Sequence, residues 1–331
     1  MSKSDHLREM RSALRCFLAL LLCMALLPST SFSFELLIGT GERDSFSHYA
    51  GKIICRSIHK FDQNVTCRAV PSDSYTDNLT NVQGGSLDLA LVNSKMINDA
   101  FHRDGLFKYV SLDYDQLRLL LPLYRTPISL LVRRDAHIKT LGDLVGKKVN
   151  AGRVSSLEEI VFGAIMAAKG WQEDTFSLYQ NLPETNSQDY IALHTGSVQA
   201  MLHIGMHPDD KLKRSLANGQ TQIIGLSDQA TKQLVEGDSG FYPQPITSGT
   251  YSEYANDIDT LSLETLLVTS SDSDTETVAL VLEAILATKK QLQNAHPSFL
   301  AESVNIETLN ESYLHPHPEA ILFFQSNQNR F

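Results

Sequence analysis

Two serines 111 residues apart, Ser45 and Ser156, each close a glycine-bearing loop just ahead of an amphipathic run. A hydroxyl in that place caps a helix. With the free amides and positive end of the helix it also holds a carboxylate. Arg153 precedes Ser156 in the same loop, and a guanidinium grips a carboxylate through two parallel hydrogen bonds. Asn93, Ser94, His203 and Gly205 end two apolar runs, where open α/β sheets place ligand contacts. Thr40 and Gly41 in the first loop, Ser155 in the second and Tyr124 as a wall complete the candidate set. This chemistry is capture of a small organic anion, without turnover. There is no nucleophile elbow, His-Glu-x-x-His or phosphate loop, so no catalytic residue and no cofactor is expected. His203 and His207, followed by Asp209 and Asp210, share a face only on a helix. The segment reads as strand and loop, so no metal is expected. His315 and His317 read as surface residues, and Tyr251 as packing or a second wall.

The elements that position these residues repeat at the same offset. Ile38 to Gly41 falls on Val149 to Gly152, and Gly85 to Val92 falls on Gly196 to His203. Each copy gives an apolar strand, a glycine loop, an amphipathic helix and, later, a Gly-Ser turn into a second apolar strand. Strands are expected over Glu35–Thr40, Val65–Val70, Leu87–Val92, Lys147–Ala151, Gln199–Ile204 and Leu261–Thr269. Helices are expected over Phe46–Lys60, with Tyr49, Ile53, Ile54 and Ile58 on its apolar face, and over Tyr75–Gln83, Leu157–Lys169 and Thr275–Asn294. Leu117 to Val132 is a long apolar stretch interrupted by Pro122 and Pro127. Alternating strands and helices predict parallel sheets. The expected fold is α/β with two lobes, a duplicated unit and two crossing strands near Ile128–Arg133 and Leu261–Thr269. The first lobe comprises 34–127 and 270–331, the second 128–269, with the anion site in the cleft between them.

Composition limits the setting. Residues 1–33 read as a signal peptide: Lys3, Arg8, Arg11 and Arg15 precede the twelve-residue apolar run Cys16 to Leu27, with a cleavage site near Ser33. That run is too short for a hydrocarbon core that needs about 20 residues. Export to the periplasm leaves Cys55 and Cys67, for which an oxidising compartment favours a disulfide. The net charge of −10, from 28 basic and 38 acidic residues without a basic stripe, argues against nucleic acid as a partner. A monomer is expected.

Several ordered motifs resemble those of TAXI-type solute-binding proteins of tripartite ATP-independent periplasmic (TRAP) transporters. They are the Ile38-Gly39-Thr40-Gly41 opening, Asp88 to Ser94, Leu123-Tyr124 leading to Leu131-Val132-Arg133, Ile138 to Asn150, Gly205 to Pro208, Gly249-Thr250-Tyr251 and Leu314-His315-Pro316. The resemblance spans about Leu37 to Phe324 and implies a type II periplasmic binding protein that delivers a solute to a membrane transporter. Both loops depart from the family pattern. Glu42 to Ser47 stand where further glycines, a hydrophobic residue and tyrosines are usual, Arg153 to Glu158 replace Pro-Pro-Gly-Ser-Gly-Thr, and Lys95 replaces a common Asp. Side chains obstruct the close backbone approach that glycine permits. A ligand-sensing protein of the same fold, signalling to a membrane kinase or another partner, is the alternative role.

Overall fold

A computed structural model describes residues 34–72, 74–182, 187–237, 239–301, 304–310 and 312–327. The signal-peptide reading of residues 1–33 lies outside them. The first unit runs β1 (Phe34–Thr40), α1 (Phe46–Phe61), β2 (Val65–Pro71), α2 (Tyr75–Gln83), β3 (Leu89–Asn93) and α3 (Ser94–His102). The long β4 (Leu117–Arg133) then leads to the second unit: β5 (Lys148–Asn150), α4 (Leu157–Lys169), β6 (Leu178–Gln180), α5 (Gln188–Thr195), β7 (Ala200–Ile204) and α6 (Asp210–Ala217). β8 (Thr221–Ile224), α7 (Gln229–Glu236), β9 (Phe241–Ile246) and β10 (Ile258–Ser270) follow, and α8 (Thr275–Ala287) returns to the first lobe.

The strand path is β2-β1-β3-β10-β4-β7-β5-β6, with β8 on β4 and β9 on β10. Its two ends are copies: β2-β1-β3 and β6-β5-β7 have the same internal order, and β3 and β7 span equivalent positions under the 111-residue offset. β1 pairs β3 in parallel, and β5 pairs β7 in parallel. Each third strand then meets an antiparallel crossing strand, β3 against β10 and β7 against β4.

The two crossing strands divide the core. Leu117 to Tyr124 of β4 and Leu266 to Val268 of β10 pack with the first unit and α8. Ile128, Leu130 and Val132 of β4 and Leu261 and Leu263 of β10 pack with the second. β10 passes from the second core to the first between Leu263 and Leu266, and Thr265 to Thr269 pair with β3. The two prolines do not break β4. Register shifts against β10 leave Leu123 and Leu120 as extra residues beside Pro122, so the missing N–H falls where the ladder is already irregular.

Two expectations change. Tyr49 is 43% exposed, and the inner face of α1 is carried by His48, Ala50, Ile53, Ile54 and Ile58. The expected helix over Thr275–Asn294 splits at Thr288, whose hydroxyl donates to the Ala284 carbonyl at 2.7 Å, a back-bond that competes with the helical ladder. Cys55 on α1 and Cys67 on β2 form a disulfide with Cα atoms 4.9 Å apart.

The bridge closes a loop with a sequence separation of 12. By chain entropy such a loop stabilises by about 3 kcal/mol. Urea unfolding of the Cys55→Ser/Cys67→Ser double variant is expected to show that loss; an unchanged midpoint removes the bridge from the stability account.

Candidate functional site

Ser45 caps α1, its hydroxyl accepting from the His48 N–H at 3.2 Å, and Ser156 caps α4, accepting from the Glu159 N–H at 3.3 Å. Both serines line one cavity of about 870 Å³. Two helix N-termini thus open onto the same space, and their dipoles add at an anion placed between them. Gly152 makes the second loop possible. At φ +97° a side chain is strained, and a Cβ would stand 2.8 Å from the Ser156 hydroxyl and 2.6 Å from the Glu158 Cβ.

Of the candidate residues, the structure brings Gly41, Ser45, Asn93, Tyr124, Arg153, Ser156, His203 and Gly205 to this cavity. Thr40, Ser94 and Ser155 are not among its walls. Thr40 is buried, with its hydroxyl bonded to His48 Nδ1 at 2.9 Å and donating to the Val70 carbonyl at 3.1 Å. Ser94 ties the lobes together: its hydroxyl donates to the Gly240 carbonyl at 2.6 Å and accepts the Glu264 N–H at 3.0 Å. Ser155, at φ +63°, shapes the loop, and its N–H donates to the Glu159 carboxylate.

Arg153 forms an ion pair with Glu42 at 2.6 Å. These two residues occupy equivalent positions of the two copies, 111 residues apart, so the pair joins the two loops across the cavity. Both side chains are 45% exposed, and the pair itself adds little stability. Other cations near the candidate site are engaged elsewhere. Lys95 pairs with Asp99 on α3, and Arg133 pairs with Asp135 while donating to the Leu193 and His194 carbonyls at the end of α5.

The walls differ in chemistry. The first-lobe side is aromatic: Phe46, Tyr49, Tyr124 and His296 line it, with Phe46 edge-on to Tyr124 at 4.9 Å and to His296 at 5.0 Å. Burial pushes the Tyr124 hydroxyl up to about 12, so it stays protonated. Around the whole cavity, Glu42, Asp44, Glu158, Asp189 and Asp209 stand against the cations Arg153 and Lys211. Sequence reading missed Asp189, Asp209 and Lys211. The offset pairs Asp189 with Asn78, which also lines the cavity. That shared offset was the available signal.

At the end of β7, His203 is buried, with Nδ1 3.1 Å from the Tyr190 hydroxyl and Nε2 3.9 Å from an Asp209 oxygen. His207 bonds the Tyr251 hydroxyl at 2.6 Å through Nδ1 and Ser129 Oγ at 3.1 Å through Nε2. Tyr251 also accepts the Asp209 N–H at 3.0 Å, so its hydroxyl joins His207 to the backbone just ahead of α6. This network packs Tyr251 away from the cavity. Desolvation lowers the pKa of His203 to about 4 against the opposing pull of Asp209, and lowers that of His207 to about 4 with help from His203. His317, expected at the surface, is buried and caps the helix Pro318–Ser326.

The model of the NMT1-like family matches residues 38–326. Solved structures agree in fold at low identity. A TctC solute-binding protein from Polaromonas has a TM-score of 0.53 at 14% identity, over 91% of this chain and 100% of that one. PhnD1 from Prochlorococcus marinus, in complex with methylphosphonate, has a TM-score of 0.51 at 10% identity, over 90% and 99%. A Xanthomonas citri protein bound to ATP has a TM-score of 0.56 at 10% identity, over 90% and 99%. The fold is the two-lobed α/β fold of the TctC solute-binding protein. Among the described residues, no helix is long and apolar enough to cross a membrane.

The imidazoles of His203 and His207 are neutral in the folded protein at neutral pH and titrate near the ordinary 6.5 when unfolded. Between about 4 and 6.5 the unfolded chain therefore binds more protons, and stability falls as pH drops through that window while being fully present above it. Thermal melts from pH 7 to pH 4 are expected to show a falling midpoint whose slope shrinks in His207→Gln. An equal slope in both proteins assigns the acid sensitivity elsewhere.

Proposed function

The chain belongs to the NMT1-like family, and we propose that it is a solute-binding protein of the TRAP type that captures a small organic anion, of carboxylate or amino-acid kind, between its lobes. The observation that carries this reading is the convergence of the Ser45 and Ser156 helix ends on one cavity of about 870 Å³. That volume lies within the range of small-molecule sites, roughly 300–1,000 Å³. A carboxylate there meets two hydroxyls and two sets of free amides, and neither lobe alone supplies both. The β4–β10 pair forms the hinge. Closure around it excludes water, and differential affinity for the closed state drives the population shift. Export with removal of residues 1–33, and delivery to a membrane transporter as a monomer, complete the reading.

Arg153 has a part in closure and in binding. Its guanidinium is held by Glu42 across the mouth and is the cation in the ligand loop.

Native mass spectrometry of freshly purified periplasmic protein is expected to show one bound small molecule with a carboxylate or related anionic group. With that compound, Arg153→Ala is expected to weaken binding by about 1.5–3 kcal/mol, the range for hydrogen bonds to charged groups. Glu42→Gln, which leaves the guanidinium to the ligand, is expected to bind at least as well. An apo protein indifferent to small carboxylates in calorimetry overturns the reading.

A further inference from the structure

The charge around the cavity does not suit a multiply charged anion. Five carboxyl side chains stand against two cations. Glu42 and Arg153 neutralise each other, which leaves a net acidic surface on the second-lobe side, where Asp189 and Asp209 stand near Lys211. One of these carboxyls is unusual. Asp189, on the first turn of α5, is 3% exposed, and its Oδ1 has no hydrogen-bond partner among the described residues. Burying an unpaired carboxylate oxygen is costly unless something supplies a donor. Desolvation raises the pKa of this carboxyl, opposed by a backbone hydrogen bond at Tyr190 and by the Lys211 charge, and a cation arriving beside it favours the ionised form. The Nε2 of buried His203 is likewise unpartnered among the described residues.

We infer that the Asp189 wall seats an ammonium group, so the solute carries one carboxylate at the paired helix ends, an amine toward Asp189, and no second carboxylate. The inference rests on the cleft reading above and narrows it. A dicarboxylate would place its second charge against Asp189 and Asp209, and a bare monocarboxylate would leave Asp189 Oδ1 unsatisfied. A zwitterionic or basic amino acid meets both ends.

A matched six-carbon set separates these classes by calorimetry on the intact mature protein: lysine, 2-aminohexanoate, hexanoate and adipate. At least one amine-bearing member is expected to bind about tenfold or more tightly than both hexanoate and adipate, a difference readily read as Kd. Asp189→Asn is expected to erase that preference by weakening the amine-bearing members about tenfold or more. Adipate or hexanoate binding as well as the amines overturns the inference and leaves the carboxylate reading standing. Binding of none of the four overturns both. The comparison among the four probes on the unsubstituted protein decides even where Asp189→Asn does not fold.

Discussion

The antiparallel ladder between β4 and β10 is the constraint on which the rest of the structure depends. Ser262 to Ser270 of β10 register against Pro127 down to Leu117 of β4, and beyond that stretch the strands part company. β4 continues against β7 and β8, while β10 begins against β9. Each strand is therefore hydrogen-bonded into both lobes, and no single linker carries the connection. A strand's side chains alternate in direction with period two, so a slip of one residue would exchange the two faces of β4, which pack into different clusters, Ile128, Leu130 and Val132 into one and Leu131 into another. Leu119, Leu121, Ile128, Leu130 and Val132 are all buried to 1% or less, which ties the register to two cores.

On that frame the duplication has a functional consequence. Copying a strand–loop–helix unit onto the other side of the ladder places Ser45 opposite Ser156 and Glu42 opposite Arg153. The first pair is alike and the second is complementary. In the proposed role, like residues let both lobes present the same hydroxyl and amides to one anion. The complementary pair joins the two loops through a solvent-exposed ion pair, which adds little stability of its own. The copies have diverged most where charge is concerned. The second unit carries Glu158, Asp189 and His203 at positions where the first has Ser47, Asn78 and Val92, so one wall is acidic and the other aromatic.

Much of this was legible in the sequence because it rests on local chemistry. The 111-residue offset, the strand–helix alternation and the two capping serines depend on short-range spacing, and α4 runs over Leu157–Lys169 as its periodicity and flanking glycine require. The Cys55–Cys67 pair followed from export and proximity in chain order. The long apolar stretch with Pro122 and Pro127 looked broken, yet it is one strand, since only the partner strand decides whether a proline meets a bulge or a needed ladder bond.

What tertiary structure alone decided is how side chains far apart in sequence share one desolvated space. Thr40 and Ser94 sit beside the cleft in chain order, but Thr40 turns inward to His48 and Ser94 is consumed by Gly240 and Glu264, contacts 146 and 170 residues away. Arg153 reads as a ligand cation until Glu42 is seen across the mouth. Asp189 looks like an ordinary acidic residue in the first turn of a helix, favoured there by the helix dipole. Only its burial against the cavity, with one oxygen unsatisfied, makes it informative about the solute. Propensity and spacing are properties of neighbours along the chain, whereas desolvation is a property of everything that packs around a group, and no local pattern encodes it.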